Sequence, residues 1–156
     1  NLNLNAIRSR THQLKDVIVK TPVIKLQSPY LYKYLLAKNI FLKLECFQHT
    51  GTFKARGAMS VSSSISHENQ KNGITAASAG NHAIAAAWAA RKLGTSAKVI
   101  MRSTANPYRI ARVKEEKAEI KIVDDVKELF EEAEKLVKEE KLICEATGLS
   151  TSRRPQ

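Results

Sequence analysis

Lys54 stands in the stretch Thr50-Gly51-Thr52-Phe53-Lys54-Ala55-Arg56-Gly57-Ala58, one lysine between two glycines just after an apolar run. A lysine amine attacks carbonyls usefully only when it is held, partly desolvated and able to lose its proton, and a tight turn entering a helix can hold it so. Read alone, the same stretch is most simply a helix start carrying a solvated lysine. A second stretch, Ala76-Ala77-Ser78-Ala79-Gly80-Asn81-His82-Ala83, follows another apolar run and opens an alanine-rich helix. Between a strand and a helix, backbone N–H groups and the positive helix end point at one place, which suits a carboxylate. The plainer alternative there is an ordinary strand-to-helix turn capped by Asn81 or Ser78.

Ser78 follows Lys54 by 24 residues, and in this order and spacing the two stretches resemble the threonine and serine dehydratase family of pyridoxal-phosphate enzymes (the tryptophan synthase β-like, fold type II group). Members carry a Ser/Thr-Phe-Lys-x-Arg-Gly-Ala motif followed by a Ser-Ala/Ser-Gly-Asn-His motif. The resemblance runs from Thr21-Pro22 through Lys43-Leu44-Glu45 to about Asp125. It implies that Lys54 carries pyridoxal phosphate as a Schiff base, that Phe53 packs beside the ring and that Asn81 hydrogen-bonds the pyridine 3-hydroxyl. The loop Ser78, Ala79, Gly80, Asn81 and His82 would grip the carboxylate of a small amino-acid substrate. Lys54, once displaced, would take the α-proton and a β-hydroxyl would leave, giving a 2-oxo acid and ammonia.

Racemisation is a sister activity. Related racemases commonly read Ser-Ser-Gly-Asn-His at this loop, whereas Ala79 has no proton to give, which favours elimination. His82 falls in the first helical turn, where packing or capping explains it equally well. A β-replacement enzyme is a further alternative, but its Asn-Pro-x-x-Ser-x-Lys-Asp-Arg and Thr-Ser-Gly-Asn-Thr-Gly motifs do not match here. A non-catalytic truncated module is the last. The six glycines are all isolated, so the glycine-rich phosphate loop of the family is absent, as is its late Ser, Cys or Thr facing the pyridine nitrogen. The expectation is an N-terminal part of the family's fold that need not be active alone, from a parent that is often a homo-oligomer.

At 156 residues the chain is one or at most two small domains, and a compact domain of this size buries about 70% of its unfolded surface. No apolar run approaches the roughly 20 residues that span a bilayer, and the N-terminus lacks a basic-then-apolar signal pattern. A cytoplasmic protein without a membrane partner is the expectation. Cys46 and Cys144 form no Cys-x-x-Cys pair, so no zinc or other metal site is expected. The net charge of +11 is uneven, with 18 Lys/Arg against 3 Asp/Glu in residues 1–114. These basic residues are spread singly and do not alternate with aromatics, so no nucleic-acid partner is expected.

The elements that must position the two motifs follow from apolar periodicity and its punctuation. A weakly amphipathic helix is expected within 1–16, a helix begun by Ser28-Pro29 with Tyr30, Leu31, Tyr34 and Leu35 on its apolar face, and a strand at 40–45. After Lys54 a helix would bury Ala58, Val61 and Ile65. From Gly73 strands at 74–77, 97–101 and 119–123 alternate with helices at 81–93, 107–118 and 126–141, and Leu142-Ile143-Cys144 would be a fourth short strand. The fold class is α/β, an open parallel sheet with crossover helices forming a small lobe, plus an N-terminal piece of a second, larger lobe. The expected divisions are 1–68 with the lysine motif, 73–145 as the small lobe, and a polar tail at 146–156 foreign to the fold.

Overall fold

The computed structural model describes residues 3–34 and 39–144. Leu35 and the tail at 146–156, both assigned above, lie outside the described residues. The chain divides into two compact units, one ending at Phe53 and the next beginning at Lys54.

In the first unit α1 (Leu4–Gln13) starts where the Asn3 side chain accepts the Ala6 N–H, the usual way to satisfy an orphan helical donor. β1 (Val23–Lys25) and β2 (Phe41–Lys43) form an antiparallel ribbon with Ile24 opposite Leu42. Between them α2 (Pro29–Tyr32) begins as its Ser-Pro start predicts, with Ser28 Oγ accepting the Leu31 N–H. It lasts one turn, too short to present a face, and Tyr30, Leu31 and Tyr34 stay exposed where burial was expected. Side-chain ties hold this unit together. Lys43 Nζ donates to Thr21 O (2.7 Å) and Gln48 Nε2 to Val19 O (2.9 Å), while Gln48 Oε1 accepts the Val19 N–H (3.1 Å). Gln48 thus pairs with Val19 much as a neighbouring strand residue would.

The second unit runs α3 (Lys54–Ser62), α4 (His67–Gln70), β3 (Ile74–Ala77), α5 (Asn81–Leu93), β4 (Ala97–Arg102), α6 (Pro107–Glu115), β5 (Glu119–Val123), α7 (Val126–Glu139) and β6 (Ile143–Cys144). Its four strands are all parallel, in the order β5-β4-β3-β6. Helices cover both faces, as a parallel sheet requires. Ile100 points toward Leu129, Ala133 and Leu136 of α7, whereas Val99 and Met101, one residue either side, meet Ala83, Ile84 and Ala87 of α5 and Val113 of α6. No described helix is long and apolar enough to cross a membrane.

Eight consecutive residues of α5, Ala83 to Ala90, are buried. α3, α6 and the sheet all pack against this helix, and six alanines among those eight let neighbours approach from every side. The face of α3 matches expectation at Ala58 but not at Val61 or at Ile65, which lies beyond the helix, for the same reason. Ala55, Ala58, Met59 and Ser62 are buried, small residues at helical spacing, while Val61 is exposed. α3 belongs to the second unit, which begins at Lys54, because it packs along α5. α6 and α7 end at Glu115 and Glu139, short of the expected 118 and 141. Lys117 (φ 62°) and Lys141 (φ 56°) adopt the left-handed conformation that stops a helix.

Candidate active site

The strand order reverses beside β3, since the chain moves outward to β4 and β5 and then returns to place β6 on the other side. At such a switch point a crevice opens beyond the carboxyl ends of the strands. The segment from Ser78 to His82 leaves β3 there. Its first amide, Ser78 N–H, donates to Ile100 O (3.1 Å), carrying the sheet ladder one residue beyond β3. Gly80 N–H then donates to Ser78 Oγ (3.2 Å).

Gly80 is the N-cap of α5, in extended conformation, and no side chain caps the helix. The capping role considered for Asn81 or Ser78 is therefore not realised, since the Ser78 hydroxyl serves the loop's own amide. Asn3, Ser28, Ser66, Asn106 and Asp125 cap α1, α2, α4, α6 and α7 with their side chains. Among the described residues Asn81 N–H has no hydrogen-bond partner. Exposed Asn81 thus begins a helix whose positive end faces outward. Ala79, half-buried, packs its methyl on the α5/α6 side of the core. His82 is half-buried in the first turn of α5.

Lys54 is the first residue of α3 and half-buried. Because α3 packs along α5, the lysine and the loop lie on two packed helices of one unit. Phe53, the last residue of the first unit, is exposed. The turn ahead of the lysine is built with strain. Thr50 has φ 63° and ψ 7°, a left-handed conformation costly for a β-branched residue, and its Oγ1 is buried without a hydrogen-bond partner among the described residues. Gln48, buried at the head of this turn, also accepts the His49 N–H (3.0 Å). Sequence reasoning passed over Gln48 and Thr50. The available signal was a polar side chain directly ahead of a Gly-containing turn.

It passed over Arg109 as well. A Cβ built on Gly80 would lie 3.6 Å from Arg109 Nη1 and 4.0 Å from Ser78 Oγ. A cavity of about 170 Å3 lies elsewhere, against the first residues of β4 and β5 and under α7. Its charges face one another, Lys98 Nζ being 2.6 Å from Glu140 and Lys121 Nζ 2.6 Å from Glu132. The hydrogen bond from Lys121 holds the Glu132 carboxyl below its usual range.

Residues 14–151 match the family described as pyridoxal-phosphate dependent enzyme. Among curated relatives, the phenylserine dehydratase of Ralstonia pickettii is 35% identical over 138 residues, covering 88% of this chain and 41% of that protein. A catabolic L-threonine dehydratase of Staphylococcus aureus is 42% identical over 104 residues, covering 67% of this chain and 30% of that protein. The chain therefore spans less than half the length of these relatives. The structure of maize serine racemase superposes with a TM-score of 0.82 at 26% identity, covering 91% of this chain and 43% of that one.

Proposed function

Because the chain belongs to the pyridoxal-phosphate dependent enzyme family, we propose that it contributes the lysine and the carboxylate loop of an ammonia-lyase that eliminates water from a β-hydroxy amino acid. The observation that carries this reading is the uncapped start of α5 at the switch point, with Asn81 N–H unsatisfied among the described residues and no Cβ at Gly80 to crowd it. The donor set fits the cofactor and its substrate. Lys54 offers an amine at the head of a helix, Asn81 a side chain able to bond a phenolic oxygen, and the loop an anion-receptive end. Phe53 is the residue to pack beside the ring.

Pyridoxal phosphate, when bound, supplies an electron sink for the charge left as an α-proton departs. The chain's own residues do the rest. Lys54 Nζ holds the cofactor and, when released, accepts the α-proton. The start of α5 fixes the carboxylate, so that the α-carbon is presented in one orientation. Loss of the β-hydroxyl as water, then hydrolysis of the released enamine, gives a 2-oxo acid and ammonia. Serine would yield pyruvate, and threonine 2-oxobutanoate.

The dehydratase names of the curated relatives support elimination, and the likeness to a serine racemase supports the sister activity. Ala79 favours the first, because a methyl packed on the core offers no proton to the opposite side of an α-carbon. The lobe assignment belongs to this proposal too, with 73–145 as the small lobe, the N-terminal residues as part of a larger one, and the complete protein a cytoplasmic homo-oligomer.

The test is to incubate the purified chain with pyridoxal phosphate, reduce with borohydride and locate the label by peptide mass spectrometry. Label is expected on Lys54 and lost in Lys54→Ala. Label scattered over surface lysines, with no absorption band, would overturn the assignment.

A further inference from the structure

α5 and α6 leave the sheet from the carboxyl ends of the neighbouring strands β3 and β4, so their positive ends lie on the same edge. Neither first turn contains an acidic residue. α6 carries Arg109 in its first turn, where a cation opposes the helix dipole by about 0.3–1 kcal/mol. Nearby arginines on the same helices have their charge met, Arg112 by Glu115 and Arg91 by Glu116, each at 2.6 Å. Among the described residues Arg109 has no ion pair. Its Nη1 lies 3.6 Å from where a Gly80 Cβ would stand, so the side-chain space of the glycine opens directly onto the guanidinium. Two helix starts and one unneutralised guanidinium thus gather at the loop with no fixed anion among them, an arrangement unfavourable in itself and relieved by an anionic ligand.

We propose that Arg109 is a binding residue of the carboxylate loop, closing over the substrate carboxylate held at Asn81 N–H. This rests on the reading of the loop as a carboxylate site. A guanidinium presents paired donors that match the two oxygens of a carboxylate, which an exposed helix end alone does not. The consequence is selectivity for amino acids with a free α-carboxylate over their amides and esters.

The test uses the cofactor-free full chain, 15N-labelled, titrated with sodium acetate against sodium chloride at equal ionic strength. In the wild-type chain the Gly80 and Asn81 amides shift saturably with acetate. Arg109→Gln weakens this binding about threefold to fivefold, the upper scale of a charge-assisted pair in an exposed setting, and Arg109→Lys falls between. Arg109 is exposed, so the variants keep the wild-type spectrum elsewhere. Gly80→Ala gives an independent check, because its methyl fits at ordinary contact distance yet fills the space between loop and guanidinium, and it weakens acetate as Arg109→Gln does. Unchanged acetate affinity in Arg109→Gln would overturn the role of Arg109 and leave the loop standing. Absence of any shift at Gly80 and Asn81 in the wild-type chain would overturn the carboxylate reading, and Arg109 with it.

Discussion

Replacing Gly73 by alanine tests whether the sheet that presents the loop is assembled as described. Gly73 has φ +94°, and an added Cβ would lie 2.4 Å from Ser96 Oγ, 3.1 Å from Ser96 O and 3.1 Å from Leu142 Cδ2. The hydroxyl can rotate away. The backbone oxygen cannot, because it accepts the Ile74 N–H at 2.9 Å and so sets the first rung between β3 and β4. On the other side Gly73 O accepts the Ile143 N–H at 3.0 Å, the first tie to β6. A methyl at this position presses on both neighbours of the central strand.

Two costs add. Holding a residue with a Cβ at positive φ costs about 1–2 kcal/mol, and crowding a packed site adds about 1–3 kcal/mol. The sum, about 2–5 kcal/mol, is a large part of the 5–15 kcal/mol that ordinarily holds a domain folded. For a unit of this size it lowers Tm by roughly 10–30 °C. Urea unfolding followed by circular dichroism measures the free energy directly. Gly94→Ala is the internal reference, since Gly94 has φ +70° but nothing within 4 Å of its Cβ position, so it pays only the conformational cost of about 1 kcal/mol. In Gly73→Ala combined with Ser96→Gly the hydroxyl contact is gone while the backbone contact and the positive φ persist, so most of the loss attributable to Gly73→Ala remains. If Gly73→Ala proved no worse than Gly94→Ala, the packing of β3 between β4 and β6 described here would be wrong.

Two further outcomes follow from electrostatics. The folded-state pKa of Glu132 is lowered by its hydrogen bond from Lys121, so the pair contributes stability above the unfolded value of 4.5 and loses it as pH falls through the lower folded value. The stability difference between the wild-type chain and Lys121→Gln, measured by urea unfolding from pH 7 downward, is expected to be constant at first and then to close in acid. A difference independent of pH would refute the pairing. Gly80→Asp supplies α5 with the cap and first-turn anion it lacks, and is expected to raise unfolding stability by about 0.5–1 kcal/mol while abolishing acetate shifts at Asn81. Unaltered acetate binding in that variant would show that the anion sits elsewhere.

The parallel sheet was legible because short apolar or alternating runs stand between amphipathic helical stretches, with Gly73 and Gly94 marking the approach to β3 and β4, and 74–77 and 119–123 emerge with the expected bounds. Helix ends were less so. Lys117 and Lys141 stop α6 and α7 in a conformation that glycine or asparagine ordinarily announces. The buried face of α3 was misplaced because periodicity favoured Val61, while the partner helix, almost all alanine at its surface, accepts Ala55 and Met59. In the first unit the tyrosines read as an apolar face, but a single turn cannot form one. Of the proposed site, Lys54 and the Ser78–His82 loop were visible as motifs. Arg109 was not, since a lone arginine in a first turn has no meaning until the fold brings it to a glycine 29 residues earlier.

The missing cap of α5 explains why this helix is built as it is. With glycine at the N-cap α5 forgoes a few tenths of a kcal/mol relative to a capping side chain, and isolated helices of 13 residues are marginal in water. α5 nevertheless holds its place, because burial of Ala83 through Ala90 against the sheet, α3 and α6 replaces local stabilisation with packing. Alanine serves both needs, having the highest helix propensity and the least bulk on a helix surrounded from several sides. Packing then decides where Asn81 N–H points, leaving the first turn open to a ligand rather than occupied by the chain's own oxygen. At the starts of α1, α2, α4, α6 and α7 the sequence instead supplies Asn, Ser or Asp. The capless start of α5 stands where β3 delivers the loop to the switch point, which is where the proposed reading has an outside carboxylate received.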